Sequence, residues 1–385
     1  MTAAARPPAL SVRWRYTFCD LLTSTPIAVL PLRDTDLTEI IGGAGEGSAR
    51  IPLTSDRVRR LNPWSATQPR RTILYAQRVL LRDGREVAAP VMWHGIVWGR
   101  TRTGTSLTLK MSTPESFYAW RLTGDKTWVA TDDAAMLREL FALAETEPAG
   151  HLHLAYGTTL AGVLSDRTML RTDRKSVLEI AQSIASAGDG MDWRIRPGVD
   201  PSTGAFTRTL EVAPRLGRTG LEELKWQTRS PSRAQNEVIG YSLEEDGTAV
   251  PNRVHALGDG QGESQLYTVV NASDVGNTEV ADGYPLLETS LAGGTSYKTI
   301  ATLDRHARGT LLAAHQHEAR ITGLTVRGDR APTVDRYELG DELTLRLNDP
   351  LYPAATTVRG RLVARRIIPN QPGRTEKVAM TLGAT

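Results

Sequence analysis

Two segments far apart in the chain, residues 71–111 and 340–382, are written to one plan. Each opens with an apolar-rich strand, turns at Asp83-Gly84 or at Asn348-Asp349-Pro350, and enters a second strand that runs into a glycine, Gly95 or Gly360. An aliphatic residue follows (Ile96, Leu362), then an arginine-rich turn, then a closing strand of alternating aliphatics, Leu107 and Leu109 or Val378 and Met380. Alternation with a period of two puts one face of a strand in a core and the other toward solvent. A chain with such a meander near each end is held to few folds: one small barrel at either end, with the intervening residues inserted between them. Chance likeness of two β-meanders is the alternative, because hairpins of this size resemble one another.

The intervening residues switch period. TDDAAMLRELFALAETEP places Met136, Leu137, Leu140, Phe141 and Ala144 on one helical face, with Asp132 and Asp133 at the end where the helix dipole favours them. DRKSVLEIAQSIASAG reads as a second amphipathic helix, capped by Asp173 and stopped by Gly188, with Val177, Leu178, Ala181, Ile184 and Ala185 inward. Met191, Trp193 and Ile195 then alternate as a strand, and Phe206, Leu210 and Val212 as another. Farther on, NRVHALGDGQGESQLYTVV reads as two strands around a glycine-rich turn, and one helix follows with Ile300, Ala307, Leu311 and Ala314 as its apolar stripe. The expected fold class is mainly β with an α/β insertion (α+β): two similar small β-barrels flanking a lateral α/β domain. The expected divisions are a barrel over 1–112, the α/β domain over 113–215, strands and loops over 216–295 and a helix over 296–319. Strands over 320–385 complete the second barrel with part of 216–295.

The chemistry-bearing residues are few. AAHQHEAR places His315, His317 and Glu318 within four positions, with His306 upstream. On a helix, residues two apart diverge by about 200°, so His315 and His317 do not share an ion; His315 and Glu318 alone are too few ligands. His151 and His153 share a face if HLHLAYG is extended. The glycine cluster in IIGGAGEGSARIPL lacks the following helix of a dinucleotide site and reads as a turn between strands. No G-x-S-x-G elbow or P-loop lysine motif occurs, and the pairs Asp132-Asp133, Glu222-Glu223 and Glu244-Glu245 are sequence neighbours rather than facing carboxylates. No catalytic residue, cofactor or metal site is expected, and the chain is not read as an enzyme.

Charge excludes little more. The 46 basic residues are balanced by 43 acidic ones, and a net charge of +3 is too weak to argue for nucleic acid across the chain. The local exception is Arg57, Arg59, Arg60, Arg70, Arg71, Arg78, Arg82 and Arg85, a basic island that is either a solvated face or a seat for an acidic partner. No signal-peptide core or membrane-spanning apolar run is present, and Cys19 is the only cysteine, so a soluble chain made in a reducing compartment is expected.

The order of several stretches carries a resemblance. WRYTFCDLLTSTPIAVLPL, then a glycine-containing turn into ARIPL, then RRTILYAQRVLLRDGREV and VMWHGIVW, resembles the start of minor tail proteins of actinobacteriophages. Those are similar to the tail-hub family, the baseplate hub proteins of long-tailed phages and related injection machines. SVLEIAQSIASAGDGMDWRI, PNRVHALGDGQGE and YELGDELTLRL…VRGRLVARRI…EKVAMTL extend the likeness over most of the chain.

The resemblance implies a homotrimer with two tube-forming barrels per subunit. Three copies would give a ring of six barrels, matching a sixfold tail tube on one side and a threefold tip on the other. It further implies a virion protein of the tail tip, made in the host cytoplasm and closing the tail tube during assembly and genome delivery. Its expected partners are the distal tail ring, the tail tube and tape-measure proteins, and downstream tip or fibre proteins, with DNA passing the lumen without specific binding. Trp93 and Trp98 are the expected interface anchors. No appended peptidase or lysozyme-like domain is expected, and so no wall-degrading activity. The competing readings are a receptor- or carbohydrate-binding tail protein and a sixfold distal tail ring; the duplicated barrel argues against the ring, which needs one barrel per chain.

Overall fold

The computed structural model describes residues 10–186, 190–228, 238–245, 247–248, 250–292, 297–315, 319–348 and 356–383. The first part contains β1 (Leu10–Asp20), β2 (Pro26–Val29), β3 (Arg33–Ile40), β4 (Glu46–Pro52), β5 (Thr72–Arg82), β6 (Arg85–Ala88), β7 (Val91–Thr103) and β8 (Ser106–Ser112). Two short helices, α1 (Asp56–Arg60) and α2 (Pro63–Ala66), lie between β4 and β5. The insertion contains β9 (Lys126–Asp132), α3 (Asp133–Ala144), β10 (Leu154–Tyr156), β11 (Leu164–Met169), α4 (Val177–Ala185), β12 (Asp192–Val199) and β13 (Phe206–Ala213). The last part contains β14 (Lys225–Gln227), β15 (Val238–Glu245), β16 (Arg253–Leu257), β17 (Tyr267–Asn271), β18 (Glu288–Ala292) and α5 (Ile300–His315). It ends with β19 (Ala319–Arg327), β20 (Glu342–Leu347), β21 (Thr356–Ile368) and β22 (Lys377–Gly383).

Fourteen strands share one sheet, whose main path runs β15-β19-β22-β21-β3-β4-β8-β7-β5-β1-β2, with β6 on β5, β20 on β21 and β14 on β20. The two meanders recur within it. β5-β7-β8 and β20-β21-β22 are both antiparallel, and β4 and β19 flank β8 and β22 in turn. The central strands β7 and β21 are each 13 residues long with glycine at the fifth position, Gly95 and Gly360. Each breaks register at the same step, after Val97 and after Leu362.

Both glycines are there for close approach. A Cβ on Gly95 would sit 2.1 Å from the Trp93 ring, and one on Gly360 2.9 Å from Leu382. The expected arginine-rich turns do not exist. Arg100, Arg102, Arg365 and Arg366 lie inside the long strands, because both strands continue past the glycine rather than reversing there. Asp83 and Gly84 do form the β5–β6 turn, both at positive φ; Asp349 and Pro350 lie outside the described residues.

The molecule is mainly β with an α/β insertion. Among the described residues the strand path is open rather than closed into two barrels. The halves merge instead, through a short ladder of β3 on β21 (Leu37–Ile40 against Ala364–Ile367) and one shared core. Phe18, Leu74, Trp93 and Leu109 pack in the same cluster as Trp226, Leu345, Leu362 and Met380. β5 is buried from Thr72 to Val79 on both faces. Leu74 and Ala76 face that core, while Ile73 and Tyr75 face a second core built with the insertion. That double burial is the reason for the consecutive apolar residues Ile73–Ala76 in its sequence.

In the insertion, Met136, Leu137, Leu140, Phe141 and Ala144 are all buried on α3, and Asp132 caps it through the Ala134 and Ala135 N–H groups. α4 is capped by Ser176, not Asp173. Ser176 and Glu179 form a capping box, which satisfies two free helix N–H groups where Asp173, in a separate turn, reaches neither. Ile180 completes its inward face and Leu178 is only partly covered; Gly188 lies outside the described residues. The small sheet β17-β16-β18 covers α5, whose buried stripe is Leu303, Ala307 and Leu311. Ile300, one turn too early, is exposed, and Ala314 is half-buried. No described helix is long and apolar enough to cross a membrane.

Candidate functional site

The polar groups that meet in space do so where the insertion joins the sheet. β12 gives one edge to β13 and turns the other toward β7, leaving main-chain groups to be satisfied by side chains. Glu115 Oε1 accepts the Ile195 N–H at 2.7 Å, and His94 Nε2 lies 3.0 Å from the Ile195 carbonyl oxygen. The carbonyl can only accept, so His94 carries its proton on Nε2. One residue pair thus clamps both main-chain groups of Ile195, and Gly42 N–H donates to the Trp193 carbonyl beside it at 2.8 Å.

Burial pushes the Glu115 carboxyl up to about 7 and, helped by Arg208, pushes His94 down to about 3. Burial thus disfavours the charged form of both, and holds His94 neutral at neutral pH. Among the described residues, His94 Nδ1 and Glu115 Oε2 have no hydrogen-bond partner. The clamp lines a cleft of 320 Å³. Its other charges are paired: Arg194 with Glu211 and Glu338, Arg196 with Glu338, and Arg365 with Glu39. These ion pairs join one chain segment to another, while Tyr337 Oη in the same cleft, like His94 Nδ1 and Glu115 Oε2, has no hydrogen-bond partner among the described residues.

Two further networks tie distant parts together. Arg78 is wholly buried on β5 and binds Glu376 through Nε (3.1 Å) and Nη2 (3.0 Å) and Asp335 through Nη1 (2.6 Å). Glu376 also accepts Trp14 Nε1 at 2.9 Å. Burial holds its carboxyl above the ordinary value even against Arg78. Arg208 of the insertion is buried with no acid paired to it among the described residues. Its donors go to Tyr75 Oη, the Leu152 and Leu21 carbonyls and Ser24 Oγ, which bridges insertion to sheet.

The expected anchors separate. Trp93 has no exposed surface. Its ring lies over Gly47 and Gly95 and its Nε1 donates to the Thr38 carbonyl, so it serves the chain's own core and not a neighbour. Trp98 is half-buried, donates to Ser116 Oγ, and lies 6.2 Å from Trp120, which is 76% exposed. Trp64 is also exposed, with the Arg100 guanidinium 3.6 Å above its ring. Sequence reading missed Trp64 and Trp120 because neither sits in a periodic segment. Other exposed apolar side chains lie at Ile27 and Val29 on the edge strand β2, and at Tyr284, Leu286 and Leu287 before β18.

The remaining candidates are scattered. His306 is buried against Tyr297 and pushed down to about 3 by burial, while the His315 side chain, His317 and Glu318 lie outside what is described. His153 takes positive φ instead of an extended conformation, and its N–H donates to His151 Nδ1. Among the described residues no group of three or more His, Cys, Asp or Glu is placed to hold a metal. The glycine cluster is a turn between β3 and β4. Of the basic island, Arg78 is internal, Arg59 pairs with Asp56 and Arg71 with Asp20, and Arg57 and Arg60 are exposed on α1.

No family model and no curated protein matches the chain. Solved structures do. A tail protein from Neisseria meningitidis MC58 superposes with a TM-score of 0.58 over 96% of both chains at 12% identity. The 43 kDa tail protein of prophage MuSo2 from Shewanella oneidensis gives 0.54 over 97% of this chain and 98% of its own at 8% identity. Prophage tail protein gp18 from Listeria monocytogenes EGD-e gives 0.51 over 96% and 94% at 12% identity. The chain has the fold of these tail proteins from end to end.

Proposed function

We propose that the chain is a structural component of a phage-type tail, a hub at the tail tip. Three copies would form a ring that closes the tube and matches its sixfold symmetry to a threefold tip. The observation that carries this reading is the internal duplication: two strand units of like order and register, fused through one ladder and one core. Two like units per chain are what a trimer needs to present six like faces. The full-length likeness to three tail proteins supports a tail role. The polar clamps at Ile195, Arg78 and Arg208 suit a part that must carry load without internal motion, and the mechanism proposed is mechanical, with no catalytic step. The natural neighbours are other tail proteins, with DNA passing the lumen unread; an actinobacteriophage source rests on the sequence resemblance alone.

The test is absolute mass by light scattering across a concentration series, with electron-microscope class averages of the same sample. A trimeric ring of six lobes is expected. A hexamer would replace this reading with the distal ring. A strict monomer would favour the receptor-binding reading, for which the exposed Trp64 and Trp120 are the specific observation; glycan-array binding that is lost in Trp120→Ala would establish it.

A further inference from the structure

The joint between insertion and sheet holds a positive charge that no carboxylate touches among the described residues. Arg208, on β13, is 2% exposed. Its four acceptors, Tyr75 Oη, the Leu152 and Leu21 carbonyls and Ser24 Oγ, are all uncharged. The nearby acids are engaged elsewhere. Glu145, on the far side of the Leu152 peptide, accepts the Leu152 N–H and the Tyr118 hydroxyl. Asp20 accepts the Leu22 and Thr23 N–H groups and faces Arg71 at 3.8 Å. The field of Arg208 reaches as far as His94, which it helps to hold neutral. A buried cation with no counter-charge is costly unless something else compensates it.

Arg208 forms part of the wall of a cleft of 310 Å³, with Ser24 and Thr25 of the β1–β2 turn, Ala205 of the β12–β13 turn, and His153. Among the described residues no Asp or Glu lines it, whereas the cleft at Ile195 has Glu39, Glu115 and Glu338 in its walls. A guanidinium carries five N–H groups; the contacts of Arg208 use four and leave one on Nη1. Tyr75 Oη accepts from Arg208 Nε, so its own hydrogen is free for Ser24 Oγ, 3.4 Å away. Ser24 Oγ then accepts from both Tyr75 and Arg208 Nη2, and its own hydrogen has no acceptor among the described residues. Ser24 stands at φ 57° and His153 at φ 55°, two non-glycine residues in the left-handed conformation on the walls of one cleft. Such backbone gathers at ligand clamps. Spare donors beside an unpaired guanidinium, with no carboxylate in the wall, select an anion as guest.

We infer that this cleft binds a small oxyanion, a phosphate or a carboxylate group, held by Arg208 and the Ser24 hydroxyl. The inference is independent of the ring reading. Seated there, the anion neutralises the guanidinium that bridges insertion and sheet, and so strengthens that joint.

The test follows the thermal midpoint of the full-length chain as sodium phosphate is added, with sodium chloride holding the ionic strength constant. A saturable rise is expected, because a ligand bound by the folded state stabilises it by mass action. Sodium acetate in a parallel series identifies the guest: half-saturation at lower phosphate than acetate marks a phosphate site, and the reverse order a carboxylate site. Arg208 itself stays in place, since its loss would undo the joint. Ser24→Ala leaves Arg208 its three other acceptors and should raise the half-saturating concentration roughly tenfold, the worth of one hydrogen bond to a charged group. Ala205→Glu brings a carboxylate to the exposed rim of the cleft and should abolish the rise. No rise with either anion beyond that with chloride overturns the inference. A rise that both Ser24→Ala and Ala205→Glu leave unchanged overturns it too, because the anion then binds elsewhere.

Discussion

Replacing Arg78 by Met tests whether the two halves are held by a buried charge network or only by their shared apolar core. Arg78 is 1% exposed and makes its contacts to Glu376, which has no side-chain exposure, and to Asp335, which has 11%. Met fills most of the aliphatic volume, so the cost is chiefly the carboxylate left behind. Stranding one member of a buried pair costs about 3–5 kcal/mol, a large part of the roughly 5–15 kcal/mol that keeps a domain folded. The expected fall in thermal midpoint is on the order of 5–10 °C.

The pH dependence gives the sharper check. Glu376 is raised above its ordinary value in the folded chain. A carboxyl shifted in that direction contributes stability below its unfolded value and loses it as pH rises through the folded one. Without Arg78 the shift grows. The deficit of Arg78→Met should then be greatest at neutral pH and shrink as the buffer approaches about pH 4. Adding Glu376→Gln removes the stranded charge, keeps an acceptor for Trp14, and should recover more than half of the loss. Urea midpoints of the three variants at two pH values decide it. Equal losses in the single and double variants at both pH values would refute the argument, because the cost would then be packing.

Four other substitutions probe the parts separately. Gly95→Ala puts a methyl where 2.1 Å separates it from the Trp93 ring, and should cost about 1–3 kcal/mol in urea unfolding through overpacking; an unchanged midpoint would mean that Trp93 is free to move. Ser176→Ala removes the α4 capping box and should cost about 1 kcal/mol, whereas Asp173→Ala should cost much less. Glu115→Gln keeps an acceptor for the Ile195 N–H and discards the titration. The wild-type carboxyl, raised to about 7, adds stability as pH falls from there toward its ordinary value near 4.5. Midpoints over that window should lose this slope in the variant.

The apolar periodicities were legible because each strand or helix buries one face whatever it packs against. They located the α3 face residue for residue, and the paired meanders through Gly95 and Gly360. They could not show that the arginines after those glycines continue a strand, since a charge at a strand end and a charge in a turn look alike in one dimension. Nor could they find the Ile195 clamp: Glu115 and His94 lie 80 and 101 positions from the residue they hold. Arg78 had a usable signal. It interrupts TILYAQRVLL, a run too apolar for a strand with a solvent face, so a charge there has to meet its opposite inside the protein.

The same logic separates the two arginines that the duplication makes equivalent. Arg100 and Arg365 hold their respective connecting loops by the same nitrogen and the same spacing of carbonyls, although one loop contains two α-helices and the other a 3₁₀-helix, Val334–Arg336. In the second unit Arg365 Nε also donates across the ladder to Glu39 Oε1; Arg100 Nε has no acceptor among the described residues.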